Sequence, residues 1–266
     1  MLTLFHNDMS VCAQKVRMVL DHKKVDWHSE HLNLRAGDQF KPQFLQLNPK
    51  AVVPVLQHND SVISESNAII EYLEEVFSQQ PLMPESSVLR ASVRNWLIRL
   101  DAGLHENVAV ISFCMAFRFQ LLERYPTQHE MDAFIDNIKD PARHAFMCDV
   151  LPNGMQSERL TQSLYAYNKL LGDMEKALSV GDYLVGNCIS LADYSLLPYI
   201  ERLEQLQLAF WWQKKPNVTS WIERCRSTKA YQLGMKEWHN AAYIEQMSNK
   251  GGEAVAMVRS IVDHFD

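Results

Sequence analysis

Two side chains suited to sulfur chemistry lie where the first predicted strand gives way to a helix. Residues 2–5 alternate as a strand does, residues 7–10 are typical of a turn, and an apolar-periodic segment follows. Beside the partial positive charge of a helix start, the Ser10 hydroxyl can donate a hydrogen bond to a thiolate and so lower the pKa of the thiol. Cys12, in the first helical turn, can itself be a thiolate nucleophile. The structural alternatives are that Ser10 only caps the helix and that Cys12 is a small buried apolar residue.

A proline stands inside the third predicted strand, residues 52–56. Because proline cannot donate a hydrogen bond to a sheet ladder, Pro54 indicates either an ordinary edge strand or a distorted strand start. A cis Val53–Pro54 peptide bond would turn the chain so that the backbone N–H and C=O of Val53 point outward, free to pair with an extended peptide. Val53 and Pro54 are therefore candidates for binding a peptide-like ligand.

A candidate socket for a charged ligand follows one hairpin later, at Glu65 and Ser66. Ser66 is a strong N-cap residue before an apolar helix, and its hydroxyl and the first free amides of that helix can hold a carboxylate. The preceding Glu65 can hold an amine. Together they suit a ligand end that carries both an α-carboxylate and an α-ammonium group, whereas Ser66 alone is more often a plain helix cap.

The elements that must position these residues have the order β-α-β followed by β-β-α. Strands are predicted over residues 2–5, 27–34, 52–56 and 61–64, with helices after Ser10 and from Ser66. The apolar residues of the first helix recur at helical spacing. Those predicted to face the core are Ala13, Val16, Val19 and Leu20. Those expected to face water are Gln14, Lys15 and Arg17.

Beyond residue 78 the sequence pattern changes from mixed strands and helices to helices alone. Residues 78–85 contain prolines and other breakers typical of a linker, and the later residues have a helical period, beginning with a long helix over 88–124. The polar stretch 125–156 is interpreted as an insertion between two core helices. Ser190 to Asp193 form a capping box that marks the start of a buried helix. The adjacent glycines 251 and 252 are expected to isolate a final short helix.

The composition excludes several classes of protein. Over 266 residues, 26 basic and 32 acidic side chains give a net charge of −6, which argues against an electrostatic nucleic-acid binder. Apolar residues make up 47% and charged residues 22%, as in a globular protein with a large core. No apolar run approaches the ~20 residues that span a bilayer, and the N-terminus lacks the pattern of an export signal. We therefore expect a cytoplasmic protein with neither nucleic acid nor membrane as a partner.

The cysteines and histidines form no metal-binding pattern in the sequence. The five cysteines are widely spaced and contain no Cys-x-x-Cys, which argues against a disulfide framework and against structural zinc. The ten histidines include no His-Glu-x-x-His. Glycine-rich nucleotide loops and the Gly-x-Ser-x-Gly elbow of hydrolases are also absent. We expect no metal ion in this protein.

The motifs stand in the order and spacing of one family. Ser10 lies at a strand-to-helix turn, Pro54 in an apolar strand, and Glu65-Ser66 at a helix start, and the proline-rich linker and the capping box follow. Up to about residue 240 the sequence resembles a cytosolic glutathione transferase. The resemblance implies glutathione as co-substrate and usually a homodimer, with a heterodimer as the alternative.

The resemblance also implies the architecture. The fold would be an α/β thioredoxin-like domain over residues 1–78 and, after a linker over 79–87, an all-helical domain over 88–245. The insertion at about 125–156 would lie inside the helical domain. Residues 246–266 would form a C-terminal extension.

Roles for the candidate residues follow from the same resemblance. Val53, next to Pro54, would pair with the cysteinyl backbone of glutathione, and Glu65 and Ser66 would hold its γ-glutamyl end. Ser10 would match the thiol-activating hydroxyl of the serine-type classes.

Two further residues would meet the other end of glutathione. Lys50 would lie near its glycyl carboxylate, with help from Gln39.

Because Cys12 lies close to Ser10, a thiol transferase that works through a mixed disulfide is the alternative enzyme. The insertion resembles that of bacterial transferases related to the enzymes that cleave β-aryl ethers of lignin fragments.

The predicted activity is attack of the glutathione thiolate on a small hydrophobic, aromatic electrophile, with β-aryl ether cleavage as one form of it. Isomerisation and reductive dehalogenation also use glutathione, and a noncatalytic binding or assembly subunit is the alternative outside enzymes. Residues that can supply an apolar wall for the electrophile, or belong to the ordinary core, are Leu104, Val108, Ile111, Phe113, Met115, Phe117, Trp211 and Trp212.

Overall fold

The structure is a computed structural model that describes residues 1–138 and 140–265. The strands are β1 (Leu2–His6), β2 (His28–His31), β3 (Val55–His58) and β4 (Ser61–Ser64). The first helices are α1 (Val11–His22), α2 (Pro42–Leu47), α3 (Ser66–Val76), α4 (Ser87–Arg99), α5 (His105–Ser112) and α6 (Arg118–Arg124). The later helices are α7 (Gln128–Asp136), α8 (Pro141–Asn153), α9 (Glu158–Ala177), α10 (Leu191–Gln205), α11 (Pro216–Arg226), α12 (Lys229–Gly234) and α13 (Ala241–Val262).

The four strands form one mixed sheet in the order β2-β1-β3-β4. β1 pairs in parallel with β2 and antiparallel with β3, and β3 pairs antiparallel with β4. The parallel pair is joined by the α1 crossover and the antiparallel pair by a tight hairpin, as their geometries require. The predicted order of strands and helices is confirmed, and with it the thioredoxin-like fold of the N-terminal part. The structure adds α2, which the sequence analysis missed.

The third strand begins later than predicted. Its ladder runs from Val55 to His58, not from residue 52, because Pro54 has no N–H to donate. The second strand is also shorter than the predicted span 27–34, since only His28–His31 pairs with β1. Residues 51–54 are thereby left outside the sheet as an approach to β3.

The chain divides into two compact units. Unit 1 comprises Met1–Ile98, Glu175–Ile200 and Pro216–Asn240, and unit 2 comprises Arg99–Met174, Glu201–Lys215 and Ala241–Asp266. Unit 1 contains the whole sheet. The domain limits expected from the sequence, at residues 78, 88 and 245, stay a prediction.

The polar side chains of α1 do not face water as expected. Gln14, Lys15 and Arg17 are 1%, 1% and 0% exposed. Lys15 Nζ donates to Asn67 Oδ1, and Asn67 Nδ2 donates to the Leu97 carbonyl at 3.1 Å, so that the lysine joins α1 to α3. Helical period predicts which residues share a face, but this helix is covered by protein on more than its apolar face.

The long helix predicted over residues 88–124 forms as α4, α5 and α6 with two wider turns, Leu100–Leu104 and Phe113–Phe117. Gly103 in the first of these turns has φ +131°, which L side chains rarely adopt. The predicted insertion contains α7 and α8, and a capping box of Thr127 and Glu130 begins α7. Across residues 1–138 and 140–265, every helix falls short of the length or the apolar character that a bilayer span requires.

The final short helix expected after the paired glycines is wrong. α13 runs from Ala241 to Val262 without a break at Gly251 or Gly252. A Cβ atom on Gly251 would stand 2.3 Å from the Leu206 carbonyl oxygen, which is closer than real contacts allow. Gly251 therefore allows close packing inside unit 2, and its cost to helix propensity is offset by that contact.

This contact predicts opposite effects for two adjacent substitutions. Gly251→Ala is expected to destabilise the chain by about 2 kcal/mol, because the backbone at Leu206 must move. Gly252→Ala is the matched control, because nothing lies within 4 Å of its Cβ position. Alanine there is expected to stabilise the helix by about 0.5–1 kcal/mol. Urea unfolding measures both variants, and equal effects would contradict the assignment.

Candidate active site

The predicted site residues that follow β1, precede β3 and follow β4 are brought to one edge of the sheet. Phe5 pairs with Val55, and Val55 pairs with Ser64. The end of β1, the start of β3 and the end of β4 therefore share this edge. Because α1 follows β1 and α3 follows β4 directly, both helix N-termini also lie there. Each brings free N–H groups and partial positive charge, which favour a carboxylate or a thiolate.

Ser10 is the N-cap residue of α1. Its backbone is extended, and its Oγ accepts a hydrogen bond from the Ala13 amide at 3.3 Å. The capping role predicted as the structural alternative is therefore real. It uses a lone pair of the hydroxyl and leaves the O–H free to donate to a second group, so that capping and thiol activation are compatible.

Cys12 lies in the first turn of α1 and is half-buried. Its Sγ is 3.6 Å from the Tyr199 hydroxyl, a contact within unit 1. A hydroxyl donor and a helix N-terminus both favour a thiolate. This contact is compatible with both predicted roles of Cys12, nucleophile and apolar residue.

The Val53–Pro54 peptide bond is cis, as one of the two predicted alternatives required. Pro54 is buried, whereas Val53 is only half-buried. Asn48, which is 4% exposed, braces this approach: its Nδ2 donates to the Val52 carbonyl at 2.9 Å, and its Oδ1 accepts from the Lys50 amide at 3.1 Å. No periodicity in the neighbouring sequence indicates this role of Asn48.

Glu65, and not Ser66, occupies the N-cap position of α3. The Glu65 backbone has φ +66° and ψ 114°, outside the helical region, and its carbonyl accepts from the Ile69 amide at 2.9 Å. Ser66 is the first helical residue, and within the described part of the chain its hydroxyl makes no hydrogen bond. A non-glycine residue at positive φ costs about 1–3 kcal/mol and is typical of functional sites.

The structure places Lys50 directly against Glu65. Lys50 Nζ lies 2.7 Å from Glu65 Oε1, both side chains are exposed, and the hydrogen bond to Glu65 raises the pKa of Lys50. These residues were predicted to bind opposite ends of one ligand, whereas here they bind each other. Gln39 is only 6% exposed and donates to the Leu34 carbonyl at 3.2 Å. Its Oε1 is buried without a partner in the described residues.

The residues predicted as an apolar wall belong to unit 2 and divide into two sets. Buried in the core, at 7% exposure or less, are Leu104, Val108, Ile111, Met115, Trp211 and Trp212. Phe113 and Phe117 are only half-buried, with ring centroids 5.6 Å apart, and Phe146 stands 5.3 Å from Phe113. Among the residues of the predicted wall, only Phe113 and Phe117 retain surface for a ligand ring, because Phe146 is itself buried at 8% exposure.

The cysteines of this chain are all free thiols. Among the residues that the structure describes, no three His, Cys, Asp or Glu side chains are grouped to hold a metal ion.

Comparisons with known proteins identify both halves of the chain. Residues 9–76 match the family model of the glutathione S-transferase N-terminal domain, and residues 140–229 match that of the C-terminal domain. Glutathione S-transferase Z2 of Arabidopsis thaliana is 30% identical over 201 residues, which cover 75% of each chain. Protein LigF of Sphingobium sp. strain SYK-6 is 27% identical over 225 residues, covering 82% of this chain and 85% of that protein.

Solved structures agree on the fold. The crystal structure of β-etherase LigF superposes with a TM-score of 0.77 at 24% identity, covering 89% of this chain and 99% of LigF. Maleylacetoacetate isomerase of Methylobacterium extorquens AM1, solved with malonate and glutathione, gives a TM-score of 0.61 at 25% identity over 90% of this chain and 98% of that one. The identity to the Arabidopsis protein over three quarters of each chain, with both domain matches, establishes the family. The chain belongs to the glutathione S-transferase family, whose enzymes use glutathione as co-substrate.

Proposed function

We propose that the sheet edge described above is a cradle for glutathione and that Ser10 activates its thiol. The backbone of Val53 pairs with the cysteinyl residue, beside the cis bond to Pro54. Glu65 binds the α-ammonium group of the γ-glutamyl end, and the Ser66 hydroxyl and the first amides of α3 bind its α-carboxylate. The Ser10 O–H donates to the sulfur and stabilises the thiolate at the N-terminus of α1.

One observation carries this proposal: the strand register brings Ser10, Val53 and Glu65 to one edge together with two helix N-termini. In the described part of the chain, the Val53 backbone groups make no hydrogen bond, nor does the Ser66 hydroxyl. They are therefore available to a ligand. For Lys50 to reach a glycyl carboxylate, its ion pair with Glu65 must open. The role of Gln39 at that carboxylate stays a prediction, since its amide is buried.

We further propose that the co-substrate is a small aromatic electrophile and that Phe113 and Phe117 bind its ring, with the buried Phe146 packed against Phe113. The ring centroid of Phe113 lies 5.6 Å from that of Phe117 and 5.3 Å from that of Phe146. Aromatic rings at such distances pack favourably, and a ligand ring can add to the same cluster. The relationship to LigF, a β-etherase, favours β-aryl ether cleavage, in which the thiolate attacks the carbon that bears the ether oxygen and a phenolate leaves. A homodimer or a heterodimer, and a cytoplasmic location, remain proposals from the family and from composition.

Two measurements on the full chain test the proposal. Calorimetric titration with glutathione is expected to give a saturable site below millimolar ligand. Mass spectrometry of reactions with an aromatic halide, an epoxide and a β-aryl ether is expected to detect a glutathione thioether product. Binding without any product would favour the noncatalytic alternative, and no binding at millimolar glutathione would contradict the cradle.

Removing either polar group of the socket is expected to weaken glutathione binding. Glu65→Gln removes the negative charge opposite the ligand ammonium, and Ser66→Ala removes a hydrogen bond to the ligand carboxylate; each charged interaction contributes about 1.5–3 kcal/mol. The Kd for glutathione should therefore rise about tenfold or more in each variant.

Glu71→Gln is the matched control. Glu71 is also on α3 and also pairs with a cation, Arg94, at 3.2 Å. The Kd of the Glu71→Gln variant for glutathione is expected to equal that of the wild type. An equal loss in Glu71→Gln, or no loss in Glu65→Gln, would mean that the socket is elsewhere.

A second enzymatic function, thiol exchange, is favoured by the contact between Cys12 and Tyr199. In this reaction the Cys12 thiolate attacks a disulfide sulfur, a mixed disulfide forms, and the second sulfur leaves as a thiolate. The glutathione thiolate then attacks the other sulfur of the mixed disulfide, forms a new disulfide with it and releases Cys12 as a thiolate. Disulfide reductase activity that is lost in Cys12→Ser and retained in Ser10→Ala would establish this function.

A further inference from the structure

The loop that carries Ser10 is held by hydrogen bonds of both its side chains and its backbone. Asn7, Asp8 and Met9 connect β1 to α1. Asn7 Nδ2 donates to the Leu32 carbonyl at 3.0 Å, and Asn7 Oδ1 accepts from the Met9 amide at 3.1 Å. The carbonyl groups of Asn7 and Asp8 are left to be bound by a donor from the protein interior.

Arg17 supplies that donor. Its side chain is fully buried on α1, two turns after Ser10. Nη1 donates to the Asn7 carbonyl and Nη2 to the Asp8 carbonyl, each at 2.9 Å. A single planar guanidinium therefore spans two consecutive carbonyl groups of the loop that ends at Ser10.

The guanidinium is itself fixed from three other directions. Nε donates to the Gly234 carbonyl at 2.8 Å, and Nη1 also lies 3.0 Å from His6 Nδ1. The ring of Trp238 covers its face, with the centroid 4.9 Å from Cζ. α12 approaches α1 so closely that a Cβ on Gly234 would stand 2.6 Å from the Met18 amide nitrogen, so glycine is needed for this contact.

Burial lowers the pKa of Arg17 to about 9, with Asp8 and then Asp21 acting against it. A group with that pKa remains cationic at neutral pH. The hydrogen bonds to Asn7 and Asp8 are therefore charge-assisted, stronger and more directional than bonds between neutral groups.

We propose that Arg17 is the positioning residue for the Ser10 hydroxyl: it holds the Asn7 and Asp8 carbonyl groups against α1 and so fixes the direction from which Ser10 meets the glutathione sulfur. This inference rests on the proposed function of Ser10. Arg17 itself touches no substrate. A displacement of about 1 Å at a reacting group can lower the rate on the order of a hundredfold. Fixing the loop with a buried cation therefore favours a high rate of reaction.

Arg17→Lys tests the geometry while keeping the charge, because an ammonium group cannot span both carbonyl groups as the planar fork does. The measurement is the ultraviolet titration of the glutathione thiol on the protein, with the Kd for glutathione and kcat for conjugation. We expect the pKa of the bound thiol to rise by about one unit, and kcat at neutral pH to fall about tenfold. The Kd should stay within about threefold of the wild type, since Glu65 and Ser66 are untouched.

The double variant Arg17→Lys with Ser10→Ala separates positioning from a general loss of stability. If Arg17 acts through Ser10, adding Arg17→Lys to Ser10→Ala should not raise the pKa of the bound thiol further. Arg118→Lys is the matched control in unit 2, where Arg118 likewise donates to the carbonyl groups of Leu151 and Pro152. It should leave the pKa of the bound thiol unchanged.

The outcomes distinguish this inference from the proposed function. If Ser10→Ala raises the pKa of the bound thiol and Arg17→Lys does not, or if their effects add, the positioning role is wrong while the function stands. If Ser10→Ala has no effect, the proposed function fails first. Should Arg17→Lys not fold, Arg17→Gln removes the buried charge, keeps one amide donor and carries the same expectations.

Discussion

Replacing Ser10 by alanine is expected to lower the rate of glutathione conjugation about a hundredfold, with the Kd for glutathione within about threefold of the wild type. The reason is that, in the proposed site, the Ser10 O–H would stabilise charge that is greatest on the thiolate, whereas the contacts proposed to hold the tripeptide come from Val53, Glu65 and Ser66. The loss should therefore appear in kcat and in the pKa of the bound thiol. Steady-state kinetics and calorimetric titration measure the two parts separately.

The same substitution removes a helix cap, so stability must be controlled. Because Ser10 Oγ accepts from the Ala13 amide, Ser10→Ala should also cost about 1 kcal/mol of unfolding free energy. Thr127→Ala removes the comparable cap of α7 and is expected to cost similar stability without loss of rate. Ser10→Thr keeps a hydroxyl and should retain most of the activity. Equal activity in Ser10→Ala and the wild type would transfer the role to Cys12 or to a backbone donor.

The second large effect is expected at His6, which should make the fold sensitive to acid. Burial lowers the pKa of His6 to about 3, with further contributions from Arg17 and His31. The unfolded chain binds a proton on this residue below about pH 6.5, whereas the folded chain does so only near pH 3. The contribution of His6 to stability is therefore complete above pH 6.5 and is lost as the pH falls towards 3. The loss amounts to about 5 kcal/mol at most.

Urea unfolding of the wild type and of His6→Gln between pH 7 and pH 3.5 measures this loss. The wild type should lose stability more steeply, because glutamine does not titrate. Asp21 has the opposite sign, since burial raises its pKa to about 6, but it is present in both chains. Ser29→Ala removes the hydrogen-bond partner of His6 Nε2 and keeps the imidazole, so it should retain the steep slope. Parallel slopes for the wild type and His6→Gln would contradict the assignment.

Local patterns predicted the elements that carry the site. Alternation and turn residues located β4, and the apolar period after Ser66 located α3, because such short segments follow from neighbours in sequence. The proline in an apolar strand led to the cis bond at Val53, and the family resemblance led to the fold class. The assignments of Ser10, Val53 and Glu65 remain predictions until glutathione binding is measured.

The supports of the site did not follow from local pattern. Arg17 was expected in water because a charged side chain on a helix is usually solvated. Its partners Asn7, Asp8 and Gly234 are contributed by segments 10, 9 and 217 residues away in sequence, so no periodicity within α1 indicates them. Gly251 was read as a helix breaker for the same reason, because its effect depends on the backbone of Leu206, which belongs to another segment.

The central claim is that this cradle binds glutathione and lowers the pKa of its thiol. Titration of the bound thiol tests this claim most directly. Ultraviolet absorbance of the thiolate is followed against pH for the wild-type protein saturated with glutathione. The account predicts a pKa at least about one unit below the ~8.5 of an ordinary thiol, so that the ionised fraction of bound glutathione near neutral pH rises nearly tenfold. A bound thiol that titrates as free glutathione does, or no saturable binding at millimolar ligand, would contradict it.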